Sequence, residues 1–117
     1  VFGPDYERLE TVAEVDHPAN SSPTTGPLWE AIGDGIESMT GSRRVVPALT
    51  PATTDARFFR ARGTKAYGVA MFDDLDDFSS FLSMFHGNDE RVSVASLGAS
   101  RTLLARVVER FSERIGG

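Results

Sequence analysis

Apolar residues recur along this chain with two different periods. In "PLWEAIGDGIESMTG", Leu28, Ile32, Ile36 and Met39 return at three- and four-residue spacing, the period of one helix face, and Trp29 widens that face. Pro27 suits the first helical turn and Gly41 the stop. Gly33 and Gly35 weaken the helix without ending it. The last segment repeats the pattern over a longer run. Leu97, Leu104, Val108, Phe111 and Ile115 form one stripe, broadened by Leu103 and Val107. Arg101, Arg106, Glu109, Arg110, Glu113 and Arg114 fall mostly on the other face.

The second period is that of strands. "TKAYGVAMF", Thr64 to Phe72, is an apolar run of strand length and predicts a strand buried on both faces. "RRVVPAL", Arg43 to Leu49, predicts a short strand whose Pro47 sets it at an edge or a strand end. "RVSVASL" alternates at Val92 and Val94 and predicts a very short one. "RLETVAEVDH" alternates in part at Leu9, Val12 and Val15, which predicts a strand within residues 1–16. Two short helices complete the set. One is capped by Thr53 or Thr54, runs through Arg62 and is ended by Gly63; the other spans Phe78 to Met84. "HPANSSPTTGP", His17 to Pro27, is dense in Pro, Ser, Thr, Asn and Gly and reads as a linker. The order of strands and helices predicts an α/β architecture, with helices layered on a mixed sheet.

Composition narrows the function classes. The 117 residues make at most one domain, and 40% apolar with 25% charged content is that of a globular protein. The net charge is -5 and no basic stripe is present, so a nucleic-acid partner is not expected. Without cysteine there is neither a disulfide framework nor a thiolate zinc site. No apolar run approaches ~18 residues, so no membrane span is expected. No signal peptide is visible, and a cytoplasmic location is expected. The chain opens on Val1 without an initiator methionine, as a processed chain or a piece of a longer one would.

Two stretches carry candidate chemistry. In "FHGNDERVSV", His86 is one of only two histidines. Gly87 lets the backbone turn sharply, and Asp89 and Glu90 can orient an imidazole. A lone histidine without an H-x-x-x-H or H-x-D pair is by itself better explained by a structural or solvated role. In "PATTDARFFR", Thr53 and Thr54 offer hydroxyls near a helix start, and Arg57 can bind a carboxylate with both arms of its fork. The plainer account is a Thr cap, Asp55 as a first-turn charge, and Arg57 and Arg60 at the surface. "DDLDD", Asp73 to Asp77, lacks the spacing of a calcium loop and reads as a solvated acidic turn. His17 reads as structural or exposed.

Taken together, "PATTDARFFRARGTKAYGV" and "FHGNDERVSVASL" resemble the C-terminal part of the dinuclear zinc hydrolases. That family includes aminoacylase, succinyl-diaminopimelate desuccinylase, acetylornithine deacetylase and the glutamate carboxypeptidases. The shared pattern is Thr-Asp-x-Arg, a Gly, an apolar strand, then His-Gly-x-x-Glu and a closing helix, over about Pro27 to Arg114. Pro51-Ala52-Thr53 stands where many members have Gly-Gly-Thr, which is closer to the aminoacylase-like branch.

The resemblance implies a fragment of a phosphorylase/hydrolase-like zinc-peptidase catalytic domain. Residues 1–16 would be the terminal strand returning from a lid domain, 17–27 the hinge, and 28–117 the C-terminal part of the catalytic domain. It implies that His86 is a zinc ligand, that Thr53 and Arg57 lie near the substrate carboxylate, and that Asp55, Gly87 and Glu90 are supporting residues. The family holds two zinc ions through a His-x-Asp, a bridging Asp and a Glu-Glu pair. Nothing in these 117 residues matches those, so no catalytic residue is expected within the chain. The implied function is part of a hydrolase cleaving amide bonds of N-acyl amino acids or peptides. It would be inactive alone and partnered by the missing N-terminal part of the domain. The alternative is a non-catalytic, self-associating binding module, a homodimer held through open strand edges. A small carboxylate-binding regulator resting on Thr53 and Arg57 is a third reading.

Overall fold

The computed structural model describes residues 18–50, 52–72 and 78–116. Four helices follow one another: α1 Pro27–Thr40, α2 Ala56–Ala61, α3 Phe78–Met84 and α4 Val94–Ile115. Local chemistry sets their ends. Pro27 opens α1, and Gly41, at φ 73, closes it by turning left-handed and donating its N–H to the Glu37 carbonyl. Ser93 caps α4, its Oγ accepting the Ser96 N–H at 2.9 Å.

Of these helices only α1 and α4 pack on one another. Ala31 and Ile32 from α1 meet Leu103 and Val107 from α4, and among the described residues these are the buried apolar side chains. Leu28, Ile36, Met39 and Phe111 close around them, half-buried. Gly35 permits the close approach. A Cβ there would lie 3.0 Å from Val107 Cγ2 and 3.1 Å from Leu103 Cδ1. The glycine that lowers helix propensity is thus what lets the two helices meet.

The helix stripe of α4 differs from the sequence pattern. Leu103 and Val107 face α1, whereas Leu97, Leu104, Val108 and Ile115 are 52% to 64% exposed. The arginines differ too. Arg106 donates to the Ser38 carbonyl and hydroxyl, and Arg114 to Asp34, so both lie toward α1 rather than away from it. Their long stems reach across the helix pair, which a face-by-face reading of charge misses.

The predicted mixed sheet is not formed: among the described residues there is no strand. Residues 43–49 form no ladder, and Val46 and Leu49 are exposed at 85% and 90%. The "RVSVASL" strand is overturned by the Ser93 cap, which starts α4 at Val94. The strand expected within residues 1–16 lies outside the described residues. Residues 64–72 run along the helix pair, with alternate side chains Tyr67, Val69 and Met71 on the core. That alternation is the one an extended chain makes, but among the described residues no second strand lies beside it. Ser22 Oγ takes the Ala66 N–H and donates to the Ala66 carbonyl, at 2.9 and 3.0 Å. Ser100 Oγ does the same at Met71, at 2.9 and 3.0 Å. Two serines therefore stand where ladder partners would. A sheet needs a neighbour for every strand, and period-2 patterning does not supply one.

Candidate functional site

The Thr53–Arg60 segment is built from local contacts. α2 begins after Asp55, which holds the cap position without a side-chain bond to the helix. Neither Thr53 nor Thr54 caps α2 with its hydroxyl. Thr53 Oγ1 instead accepts from Arg57 Nη1 at 2.5 Å. Asn20 ties the linker to this helix, its Nδ2 donating to the Arg57 carbonyl at 3.1 Å and its Oδ1 accepting from Arg60 Nε at 2.9 Å. Arg60 Nη1 continues to the Ala66 carbonyl at 3.1 Å. The Arg57 guanidinium lies 4.6 Å from the Phe58 ring centroid, stacking that holds its plane. Its Nε is buried with no hydrogen-bond partner in the structure. With Nη1 on Thr53, the edge that remains is the one an oxygen pair would fit. Gly63, at φ 84, ends this turn as the sequence predicts, and α2 itself stops at Ala61.

The His86 loop follows α3. Phe85 and Gly87 donate their N–H groups back to Leu82 and Met84 carbonyls, at 3.4 and 2.8 Å. The left-handed residues are His86, at φ 58, and Asp89, at φ 62. The sharp turn thus falls on the histidine and not on Gly87. What Gly87 provides is space, since a Cβ there would stand 3.1 Å from the Met84 carbonyl oxygen. Non-glycine residues in this conformation carry strain and gather at functional sites. The His86 ring lies against Phe85, centroids 4.2 Å apart and tilted 57°. Neither Asp89 nor Glu90 bonds the imidazole, and Asp89 uses its carbonyl to accept from Arg91 Nη1 at 3.1 Å.

The two stretches are not brought together by any hydrogen bond, ion pair or ring contact among the described residues. Nor is any group of three or more His, Asp or Glu side chains among them placed to hold a metal ion. The donor set around His86 therefore does not by itself fit a metal centre. No helix among the described residues is long and apolar enough to cross a membrane.

A charged groove of about 500 Å³ lies elsewhere, between α1 and α4. At its centre Asp34 accepts from Arg43 and Arg114. Those hydrogen bonds, Arg114's first, hold the Asp34 carboxyl below the usual aspartate range. Arg43 also reaches Glu30, and Arg110 pairs with Glu113 at 3.0 Å. Its signal in the sequence was the four-residue spacing of Arg106, Arg110 and Arg114, which places them along one side of α4. Every charge at its centre has a partner within the protein, so the groove is a staple rather than a receptor.

No curated protein sequence and no solved structure matches the chain. The model of the peptidase family M20/M25/M40, however, matches residues 6–110, a span that contains Thr53, Arg57 and His86 together with the buried residues of the helix pair. A match over that much of its length makes this chain a member of the peptidase family M20/M25/M40.

Proposed function

We propose that the chain is the C-terminal part of a metal-dependent hydrolase that cleaves amide bonds of N-acyl amino acids or peptides. The observation that carries this reading is the family match over residues 6–110. In it His86 supplies one zinc ligand, and Thr53 and Arg57 supply part of the pocket for the substrate carboxylate. Asp55, Gly87 and Glu90 support the two loops. The unpaired edge of Arg57 favours the carboxylate role, and the left-handed backbone at His86 favours a functional loop.

Zinc in such an enzyme polarises the scissile carbonyl and activates water. The described residues offer one imidazole and do not complete a site. No catalytic step is therefore assigned to this chain. The remaining ligands and the general base come from the N-terminal part of the same catalytic domain, in a longer polypeptide. In this reading residues 28–117 are the C-terminal part of that domain, 17–27 a hinge and 1–16 a segment returning from a lid. The compartment we propose is the cytoplasm.

The test uses the longest polypeptide the gene encodes. His86→Ala is expected to abolish hydrolysis of N-acetyl amino acids and to lower the bound zinc measured by mass spectrometry. Arg57→Lys is expected to raise KM for substrates with a free carboxylate and to leave their amides unaffected. Full activity with two zinc ions in His86→Ala would overturn the reading.

A further inference from the structure

We propose that Asn20 is a positioning residue for the Arg57 site: it ties α2, and with it the free edge of the Arg57 guanidinium, to the body of the protein. The inference rests on the reading of Arg57 as a substrate-carboxylate residue, and it adds a residue from outside the Thr53–Arg60 segment.

α2 has little of its own to hold it in place. It has six residues, and none of them is buried. A helix that short does not persist by itself in water. Its cap residue, Asp55, makes no side-chain bond to it. Thr53, which meets Arg57 Nη1, belongs to the same turn and moves with it. The Arg60 bond to Ala66 reaches only six residues along the chain. The two hydrogen bonds of Asn20 span 37 and 40 residues. The short-range bonds shape the segment, and those of Asn20 place it.

One amide does this with both of its groups. Nδ2 donates to the Arg57 carbonyl at 3.1 Å, and Oδ1 accepts from Arg60 Nε at 2.9 Å. A carbonyl only accepts and a guanidinium only donates, so the two partners fix which way the amide faces. Arg57 and Arg60 are three residues apart, on one side of the helix. Bonds at both positions set the distance of α2 from the linker and its rotation about its own axis. Rotation matters most to Arg57. Its plane is stacked on Phe58, Nη1 is taken by Thr53, and Nε is buried without a hydrogen-bond partner. A side chain so constrained follows its backbone, and its open edge points where α2 is turned.

Asn20 is itself anchored. Two residues on, Ser22 Oγ takes both peptide groups of Ala66, at 2.9 and 3.0 Å. The Pro23 carbonyl then accepts from Tyr67 Oη at 2.5 Å. Tyr67 packs on the core, and its ring centroid lies 5.6 Å from that of Trp29 on α1. Residues 20–23 thus form a strap from the core to α2. Through it a helix with no buried residue takes its place from the α1–α4 pair.

The test uses the longest polypeptide the gene encodes, with N-acetyl amino acids and their amides as paired substrates. Asn20→Ala is expected to raise KM for the free carboxylates about fivefold, the scale of a net loss from exposed hydrogen bonds. Its kcat, and the KM of the amides, are expected to stay at the parent's values. Asn20→Gln keeps both amide groups and is expected to recover most of the loss. Hydrogen exchange over residues 56–63, read by mass spectrometry, is expected to quicken in Asn20→Ala and much less in Asn20→Gln. Activity lost equally toward both substrates would mean a general structural role and would overturn the proposal. So would an unchanged KM in Asn20→Ala where Arg57→Lys raises it, or unchanged exchange in α2. If Arg57→Lys leaves KM alone while α2 exchange quickens in Asn20→Ala, the carboxylate reading of Arg57 fails and the tether stands.

Discussion

The α1–α4 pair and the loops that carry Thr53, Arg57 and His86 are held by different forces. The pair joins two helices through buried Ala31, Ile32, Leu103 and Val107, a glycine that lets them touch, and an aspartate shared by two arginines. The loops have hydrogen bonds but no buried side chain: α2 contributes nothing to the core, and His86 sits exposed on left-handed backbone. Stability and chemistry thus occupy separate parts of the chain. Substitutions in the pair should change folding, and substitutions in the loops should change binding alone.

The largest effect is expected at Leu103. It is fully buried at the centre of a core with few other buried side chains, so little can collapse into the space it leaves. Leu103→Ala is expected to cost about 3 kcal/mol and to broaden or abolish the cooperative thermal transition seen by circular dichroism. A variant that melts like the parent would mean that this helix pair does not carry the stability.

Ser100→Ala comes next. Its hydroxyl satisfies both peptide groups of Met71, and the variant leaves the two without their partner. A loss of about 1–2 kcal/mol is expected, with faster amide exchange at Met71. An unchanged exchange rate at Met71 would show that water replaces the hydroxyl at no cost.

These two positions also mark what could be read from the sequence. The 3.6-residue period gave α1 and α4 because a helix satisfies its own backbone, so local pattern suffices. It did not show which half of α4's wide apolar face is used, since that depends on where Gly35 allows contact. The apolar run over residues 64–72 reads as a strand buried on both faces, whereas the segment forms no ladder and meets the core through Tyr67, Val69 and Met71, with Gly68 and Ala70 exposed. The run could not show that Ser22 and Ser100, 44 and 29 residues away, would take the ladder positions. Thr53, Arg57 and His86 were legible as residue types in a pattern. The Thr53–Arg57 bond and the left-handed φ of His86 were not, because both depend on the fold of neighbouring turns.

The Asp34 staple contributes less than the core. Its arginines are part-exposed, and water screens them. Asp34→Asn is expected to cost no more than about 1 kcal/mol at neutral pH. The pH dependence has a definite sign. The folded carboxyl titrates below its unfolded value, so the unfolded chain binds the proton first as pH falls. The contribution is full above about pH 4, the ordinary aspartate value, and fades as pH drops through the lower folded value. Urea melts across that range should converge for parent and variant at the acid end. Curves that stay parallel would show that Asp34 is not the group responsible.

His86 should give the smallest change in stability and the sharpest contrast with Leu103. Its side chain is exposed, and its backbone sits at φ 58, where an L-residue is strained and glycine is not. His86→Gly therefore gives up only the surface contact with the Phe85 ring and relieves the turn. Its stability is expected to equal the parent's or to exceed it by up to about 1 kcal/mol. If glycine folds as well at this position, folding gives no reason for the imidazole, in keeping with the metal role proposed for it. The same variant, placed in the longest polypeptide of the gene, is expected to lose zinc and hydrolysis. A clear drop in melting temperature would instead give His86 a structural role and remove the reason for treating its strain as functional.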